Sequence, residues 1–156
     1  MATNRFRAAA VGAATSALIG ASIIAMPTEA SARPSVCNTG RVICINKSTR
    51  ELALVVNGRT VISMSARFGS TRQGTPTREG LFRVYWKDAS HVSSLYGSAM
   101  PFSMFFSGGQ AIHYSSDFAR NGYAGASHGC VNTRDYSAMR ALFNSAPVGT
   151  KVYIHW

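Results

Sequence analysis

Short apolar runs and segments in which apolar side chains alternate with polar ones recur along this chain, and a period of two marks half-buried strands. Val42-Ile43-Cys44-Ile45-Asn46 is a short apolar run, Lys47 to Arg50 has the composition of a turn, and Leu52-Ala53-Leu54-Val55-Val56 leads into Asn57-Gly58. Asn-Gly between apolar runs is the strongest short hairpin signal. In the returning segment, Arg59 to Phe68, the side chains of Ile62, Met64, Ala66 and Phe68 fall on one face and those of Val61, Ser63 and Ser65 on the other. One face of this ribbon is therefore directed at a core.

The pattern then breaks. Gly69 to Gly80 is rich in Gly, Ser, Thr, Arg and Pro and reads as a loop. Phe82, Val84 and Trp86 alternate with Arg83, Tyr85 and Lys87, which predicts one more half-buried strand. Asp88 to Gly109 reads as irregular and unusually aromatic, with Tyr96, Phe102, Phe105 and Phe106 among Met100 and Met104. Such a stretch serves either as a wall beside a site or as ordinary core packing. Gln110 to Tyr114 is a short strand, and Ser115 to Ala126 reads as a loop. Thr133 then suits a helix N-cap, with Tyr136, Met139, Leu142 and Phe143 at helical spacing until Ala146-Pro147. Val148 to Trp156 is the last strand. The expected class is mainly β with one short helix.

The N-terminus follows neither period. Arg5 and Arg7 precede an almost uncharged, alanine-rich run from Ala8 to Met26, and Ala30-Ser31-Ala32 has the small-x-small pattern cut by signal peptidases. Residues 1–32 read as a secretory signal peptide cleaved near Ala32; a retained anchor is the alternative, weakened by the low hydropathy of so many alanines and glycines. Residues 33–156 then form a single domain, exported to a periplasm or cell wall. The whole chain carries a formal net charge of +10, and the leader contains only Arg5, Arg7 and Glu29 among the charged residues, so the remainder stays basic. Export argues against nucleic acid as a partner and for an anionic envelope surface, although scattered basic residues also fit a merely soluble surface.

Export changes the meaning of the three cysteines. Cys37 and Cys44 can close a short loop by a disulfide in an oxidising compartment. Cys130 is left as the odd thiol, to be either buried and inert or present for its reactivity. It lies in Ser127-His128-Gly129-Cys130-Val131-Asn132, and His113 lies upstream. A thiol with two imidazoles points to nucleophilic catalysis. If a helix begins near Thr133, Cys130 sits before its N-terminus, where unpaired amides would stabilise a thiolate. In an extended segment His128 and Cys130 share a face, unless Gly129 turns the chain between them. The amides of residues 128 to 130 can serve as oxyanion donors. A structural cysteine, and a zinc site made from His113, His128 and Cys130 with Asp117 or Asp135, are the competing readings. His91 and His155 have no partner in the sequence and fit surface or packing roles.

With His113 upstream, this hexapeptide resembles the signature of the L,D-transpeptidase (YkuD-type) catalytic domain: a histidine, a spacer, Ser or Thr, His-Gly-Cys, an aliphatic residue, then Asn or Arg. Thr75-Pro76-Thr77 followed by Gly80-Leu81-Phe82 is similar to a second family motif, lengthened here by Arg78 and Glu79, and Met100-Pro101-Phe102 is also family-like. The resemblance covers residues 42 to 156, with a somewhat short spacer between His113 and Ser127. It implies a β-sandwich of mixed sheets with one short helix after Cys130, acting on peptidoglycan tetrapeptide stems. Cys130 would attack the carbonyl of the third stem residue, expel D-alanine and form a thioester. An amine of a neighbouring stem would resolve it into a 3→3 cross-link. His113 would be the base, oriented by a backbone carbonyl near Tyr114; His128 and Gly129 would line the oxyanion side, and Ser127 and Asn132 would support the site. The resemblance further implies no metal or organic cofactor, inhibition by carbapenems, and a chain expected to act as a monomer. Water as acceptor would make the protein an L,D-carboxypeptidase, and a non-catalytic wall-binding module is the reading from another class.

Overall fold

The computed structural model describes residues 33–156; the expected signal peptide lies outside the described residues. Nine strands form one mixed sheet: β1 (Arg41–Asn46), β2 (Glu51–Val56), β3 (Arg59–Arg67), β4 (Gly80–Arg83), β5 (Trp86–Val92), β6 (Ala99–Ser107), β7 (Gln110–Tyr114), β8 (Val131–Thr133) and β9 (Lys151–His155). Their order across the sheet is β4-β9-β1-β2-β3-β8-β7-β6-β5. β1 runs parallel to β9 and β7 parallel to β8, while the other neighbours are antiparallel.

Asn57-Gly58 makes the expected hairpin turn between β2 and β3. Both residues have positive φ, 49° and 78°, the backbone that a tight two-residue connection requires. Residues expected to face the core do so: Met64 and Ala66 are buried while Val61 and Ser63 are exposed. Val42, Ile43, Ile45, Leu52, Leu54 and Val55 are fully buried. At roughly 2 kcal/mol per buried aliphatic side chain, this ribbon is a principal source of the fold's stability.

The sheet curls so that its two halves enclose one core, in which Ile43, Leu52 and Leu54 join Met104, Phe106 and Ile112. Phe82, from the edge strand β4, packs on Phe106 of β6 with ring centroids 5.4 Å apart. Helix α2 (Tyr136–Ser145) closes the core with Met139 and Leu142, both fully buried. This is the mainly β class that the strand pattern predicts, with the mixed pairing that the resemblance implies.

Four details differ from the sequence reading. The strand expected over Phe82 to Lys87 is two, because the chain there crosses from one edge of the curled sheet to the other. Val84 N–H donates to Thr150 O and Tyr85 N–H to Phe105 O, so consecutive amides serve opposite halves. The stretch Asp88 to Gly109, expected to be irregular, holds most of β5 and all of β6; aromatic and methionine side chains facing both ways had hidden the alternation. A short helix, α1 (Ser116–Asn121), replaces the start of the expected loop at Ser115, whose side chain accepts from Phe118 N–H. Finally, α2 is capped by Asp135 rather than Thr133, which belongs to β8.

Cys37 and Cys44 are joined by a disulfide, with Cα atoms 6.2 Å apart. It ties a 3-10 turn at Ser35–Asn38 onto β1, against Val42 and Val55.

Candidate active site

The parallel pairing of β7 with β8 sets Ile112 beside Val131, His113 beside Asn132 and Tyr114 beside Thr133. Residues far apart in sequence are thereby brought onto adjacent strands, and Cys130 occupies the position just before β8. The thiol is half-buried against Met100, Phe105 and Ala111. Its Sγ accepts a long hydrogen bond, 3.5 Å, from Ala111 N–H.

Because β8 intervenes between Cys130 and α2, the thiol does not adjoin the N-terminus of that helix. Burial instead pushes the Cys130 thiol above its ordinary pKa, against the smaller lowering effect of the Ala111 amide. His113 moves the other way. Burial disfavours its imidazolium and takes its pKa down to about 4; the Tyr114 carbonyl works in the opposite sense, and the charge of His91 adds to the lowering. At neutral pH the resting pair is thus thiol and neutral imidazole. His113 Nδ1 lies 2.7 Å from Tyr114 O, and since a carbonyl only accepts, Nδ1 carries the proton and Nε2 holds a free lone pair.

The loop before Cys130 is held by a compact polar network. Ser127 Oγ donates to Cys130 O at 2.6 Å and accepts from Gly129 N–H at 3.2 Å. Thr77 Oγ1 donates to the same carbonyl at 3.3 Å and accepts from Gly69 N–H at 2.9 Å. Gly69 has to be glycine for space: a Cβ there would lie 1.9 Å from Thr75 O and 2.7 Å from Gly129 N. Gly129 has φ +110°, and its missing side chain leaves room for the Gln110 amide. Gln110 in turn donates to Pro76 O and accepts from Arg78 N–H. The Thr75-Pro76-Thr77 stretch and the Cys130 loop therefore form one unit.

A cleft of about 990 Å³ opens over this unit, lined by His113, Ser127, His128, Cys130 and Asn132 among others. Asn132 is buried and its Oδ1 has no hydrogen-bond partner among the described residues. His128 is exposed and stacks on Tyr96, with centroids 4.0 Å apart, so Gly129 does turn the chain and separates His128 from the half-buried thiol. Tyr114 contributes its carbonyl to His113 and packs its ring edge on Tyr136.

Several contributors were not singled out from sequence. Thr77 was visible only as part of a motif, and Gly69 and Gln110 gave no signal because their role is spatial. His91, expected on a polar loop, lies on β5 and lines the cleft, with Nδ1 3.3 Å from Asp88 Oδ2. Arg67 is buried, pairs with Asp117 and donates to Gly122 O and Ala124 O, which pins the segment between His113 and Ser127. The carboxylates considered as zinc co-ligands are thus engaged otherwise, Asp117 by Arg67 and Asp135 by Ala138 N–H.

The sequence matches a family model described as the L,D-transpeptidase catalytic domain over residues 40–154. No curated protein matches the chain. Among solved structures, an L,D-transpeptidase from Xylanimonas cellulosilytica is 31% identical with a TM-score of 0.65, over 76% of this chain and 61% of that one. One from Stackebrandtia nassauensis is 24% identical with a TM-score of 0.67, over 76% and 56%. L,D-transpeptidase 3 from Mycobacterium tuberculosis, solved with a faropenem-derived adduct, is 16% identical with a TM-score of 0.65, over 75% and 60%. The chain thus spans about three-fifths of the length of these structures. With the family model covering most of its residues, from before β1 into β9, the chain belongs to the YkuD L,D-transpeptidase catalytic-domain family.

Proposed function

We propose that the protein is a cysteine-dependent peptidoglycan L,D-transpeptidase, exported to the periplasm or cell wall, that joins tetrapeptide stems by 3→3 cross-links. The observation that carries this reading is that the β7–β8 pairing brings the Cys130 thiol and the neutral His113 imidazole, whose proton is held on Nδ1 by the Tyr114 carbonyl, into one cleft.

Cys130 Sγ attacks the carbonyl carbon of the third stem residue while His113 Nε2 takes the thiol proton. Proton removal and attack run together, because burial disfavours a free thiolate. The tetrahedral oxyanion is met by backbone amides. Ser127 Oγ already engages the Gly129 N–H, so this role falls to the amides of His128 and Cys130. The His113 imidazolium then protonates the departing D-alanine nitrogen, the C–N bond breaks, and a thioester remains. An amine from a second stem attacks it, its proton returns through His113 to the sulfur, and a new amide forms. Ser127 and Thr77 hold the Cys130 carbonyl through both steps. The chemistry uses only the chain's own groups and needs no cofactor.

Carbapenems carry a strained β-lactam carbonyl that the same thiol can open, and the faropenem-derived adduct on the mycobacterial relative supports inhibition by β-lactams. To test the reading, the protein is incubated with disaccharide-tetrapeptide and the products are separated by mass. Cross-linked dimer with release of D-alanine is the expected product. Tripeptide without dimer would instead assign an L,D-carboxypeptidase, and binding without turnover a wall-binding module.

A further inference from the structure

The cleft contains an imidazole that this mechanism does not use. His91 reaches it from β5, which lies across β6 from His113 on β7. Its ring meets Phe105 edge-on with centroids 5.0 Å apart, and its strand partner is Met100. Phe105 and Met100 are two of the side chains against which Cys130 packs, so His91 is one side chain removed from the sulfur. The charge of His91 is also felt by His113. The two imidazoles are anchored alike, His113 Nδ1 at the Tyr114 carbonyl and His91 Nδ1 at the Asp88 carboxylate. With Nδ1 so engaged, Nε2 is the remaining ring nitrogen of each, but only His91 is backed by a carboxylate.

That difference matters for the second half of the reaction. A side-chain amine arrives as an ammonium, since its reference pKa is about 10.4, and an ammonium cannot attack a thioester. The cleft is otherwise unwelcoming to it. Arg67 and Arg78 line the wall, and the lining carboxylate of Asp117 is taken by Arg67. Asp88, held by Ser90 N–H, sets its other carboxylate oxygen 3.3 Å from His91 Nδ1.

We propose that the Asp88–His91 pair is the acceptor-side base, which receives the incoming ammonium and takes one of its protons. The inference rests on the transpeptidase reading above. The ammonium gives a proton to His91 Nε2, and the Asp88 carboxylate offsets the imidazolium charge so formed. The neutral amine attacks the thioester carbon and the C–S bond breaks. The second amine proton passes through His113 to the sulfur, and His91, which is partly exposed, returns its proton to water. The pair thereby favours an amine over water as acceptor, because water arrives uncharged and needs no such step.

The test separates the two half-reactions for wild type, His91→Gln and Asp88→Asn. Each is given a disaccharide-tetrapeptide with a free side-chain amine on its third residue. The thioester is read by intact mass, and dimer and tripeptide by product mass, across a range of acceptor concentrations. In His91→Gln the dimer-to-tripeptide ratio is expected to fall by about a hundredfold, the usual scale for a lost general base. The thioester should still form. Asp88→Asn, which keeps the side-chain shape, should lower the ratio in the same direction by a smaller factor, and it decides the matter should His91→Gln not fold. An unchanged ratio with a normal thioester in a folded variant would overturn this inference alone. Absence of any thioester in the wild type would overturn the transpeptidase reading and this inference with it.

Discussion

The two halves of the curled sheet are built on opposite terms. In β1 to β3 the buried side chains are apolar except Arg67 at the end of β3, and the strands pair along their length, so that half is made mostly of interchangeable hydrophobic contacts. Around β7 and β8 the buried residues include His113, Ser127, Asn132, Thr133 and, from the loop beneath them, Thr77. Each of these polar groups, Asn132 Oδ1 excepted, is fixed by a directed hydrogen bond. The aliphatic half supplies stability that the polar half then spends on orientation. Damage to the first should therefore appear in melting temperature, and damage to the second in rate.

His113→Gln should show the largest separation of the two. Acylation by a β-lactam, followed by stopped-flow absorbance, is expected to slow by about a thousandfold, within the range for a lost general base. The wild-type rate should hold from neutral pH down through about pH 5 and fall as His113 is protonated near 4. An unperturbed imidazole would lose its rate near 6.5. The stability linkage has a definite sign. Between pH 6.5 and 4 the unfolded chain binds a proton at this histidine and the native state does not, so native stability falls as pH drops through that window. The loss is about 3 kcal/mol, absent from the Gln variant, and acid titration of urea melts measures it.

Leu54→Ala should do the reverse. Loss of a fully buried leucine in the aliphatic half costs about 3 kcal/mol in urea denaturation. The acylation rate of the folded fraction should stay at the wild-type value. Replacing Cys37 and Cys44 together by serine opens a short loop and should cost about 2.5 kcal/mol, again without a rate effect. Gly69→Ala sharpens the contrast because it overpacks the polar half itself. Overpacking against Thr75 O and Gly129 N should cost about 2 kcal/mol. It should also slow acylation, since the Cys130 loop is what has to move.

The same contrast governs what could be read from the sequence. Short apolar runs marked β1 and β2, Asn57-Gly58 placed the turn after β2, and period-two alternation marked β3, where Val61 and Ser63 meet solvent while Met64 and Ala66 meet the core. β5 and β6 escaped notice because β6 is buried on both faces around Met104, Phe105 and Phe106, which erases the alternation. At the site, residue types were legible and geometry was not. Cys130, His113 and the Tyr114 carbonyl could be named as a group from the motif. That β8 would separate Cys130 from α2 depended on the pairing of Asn132 and Thr133 with Arg67 and Ala66, a contact between distant segments. His91 carried no signal for the same reason, since its place in the cleft is set by the pairing of β5 with β6.

Covalent modification is the most direct probe of the central claim, that Cys130 is the nucleophile. The protein is treated with a carbapenem, its intact mass is recorded, and the adduct is located by peptide mapping. The account predicts one adduct per chain, on the peptide containing Cys130, and none in Cys130→Ala. An adduct on another residue, or one that persists in Cys130→Ala, would contradict it.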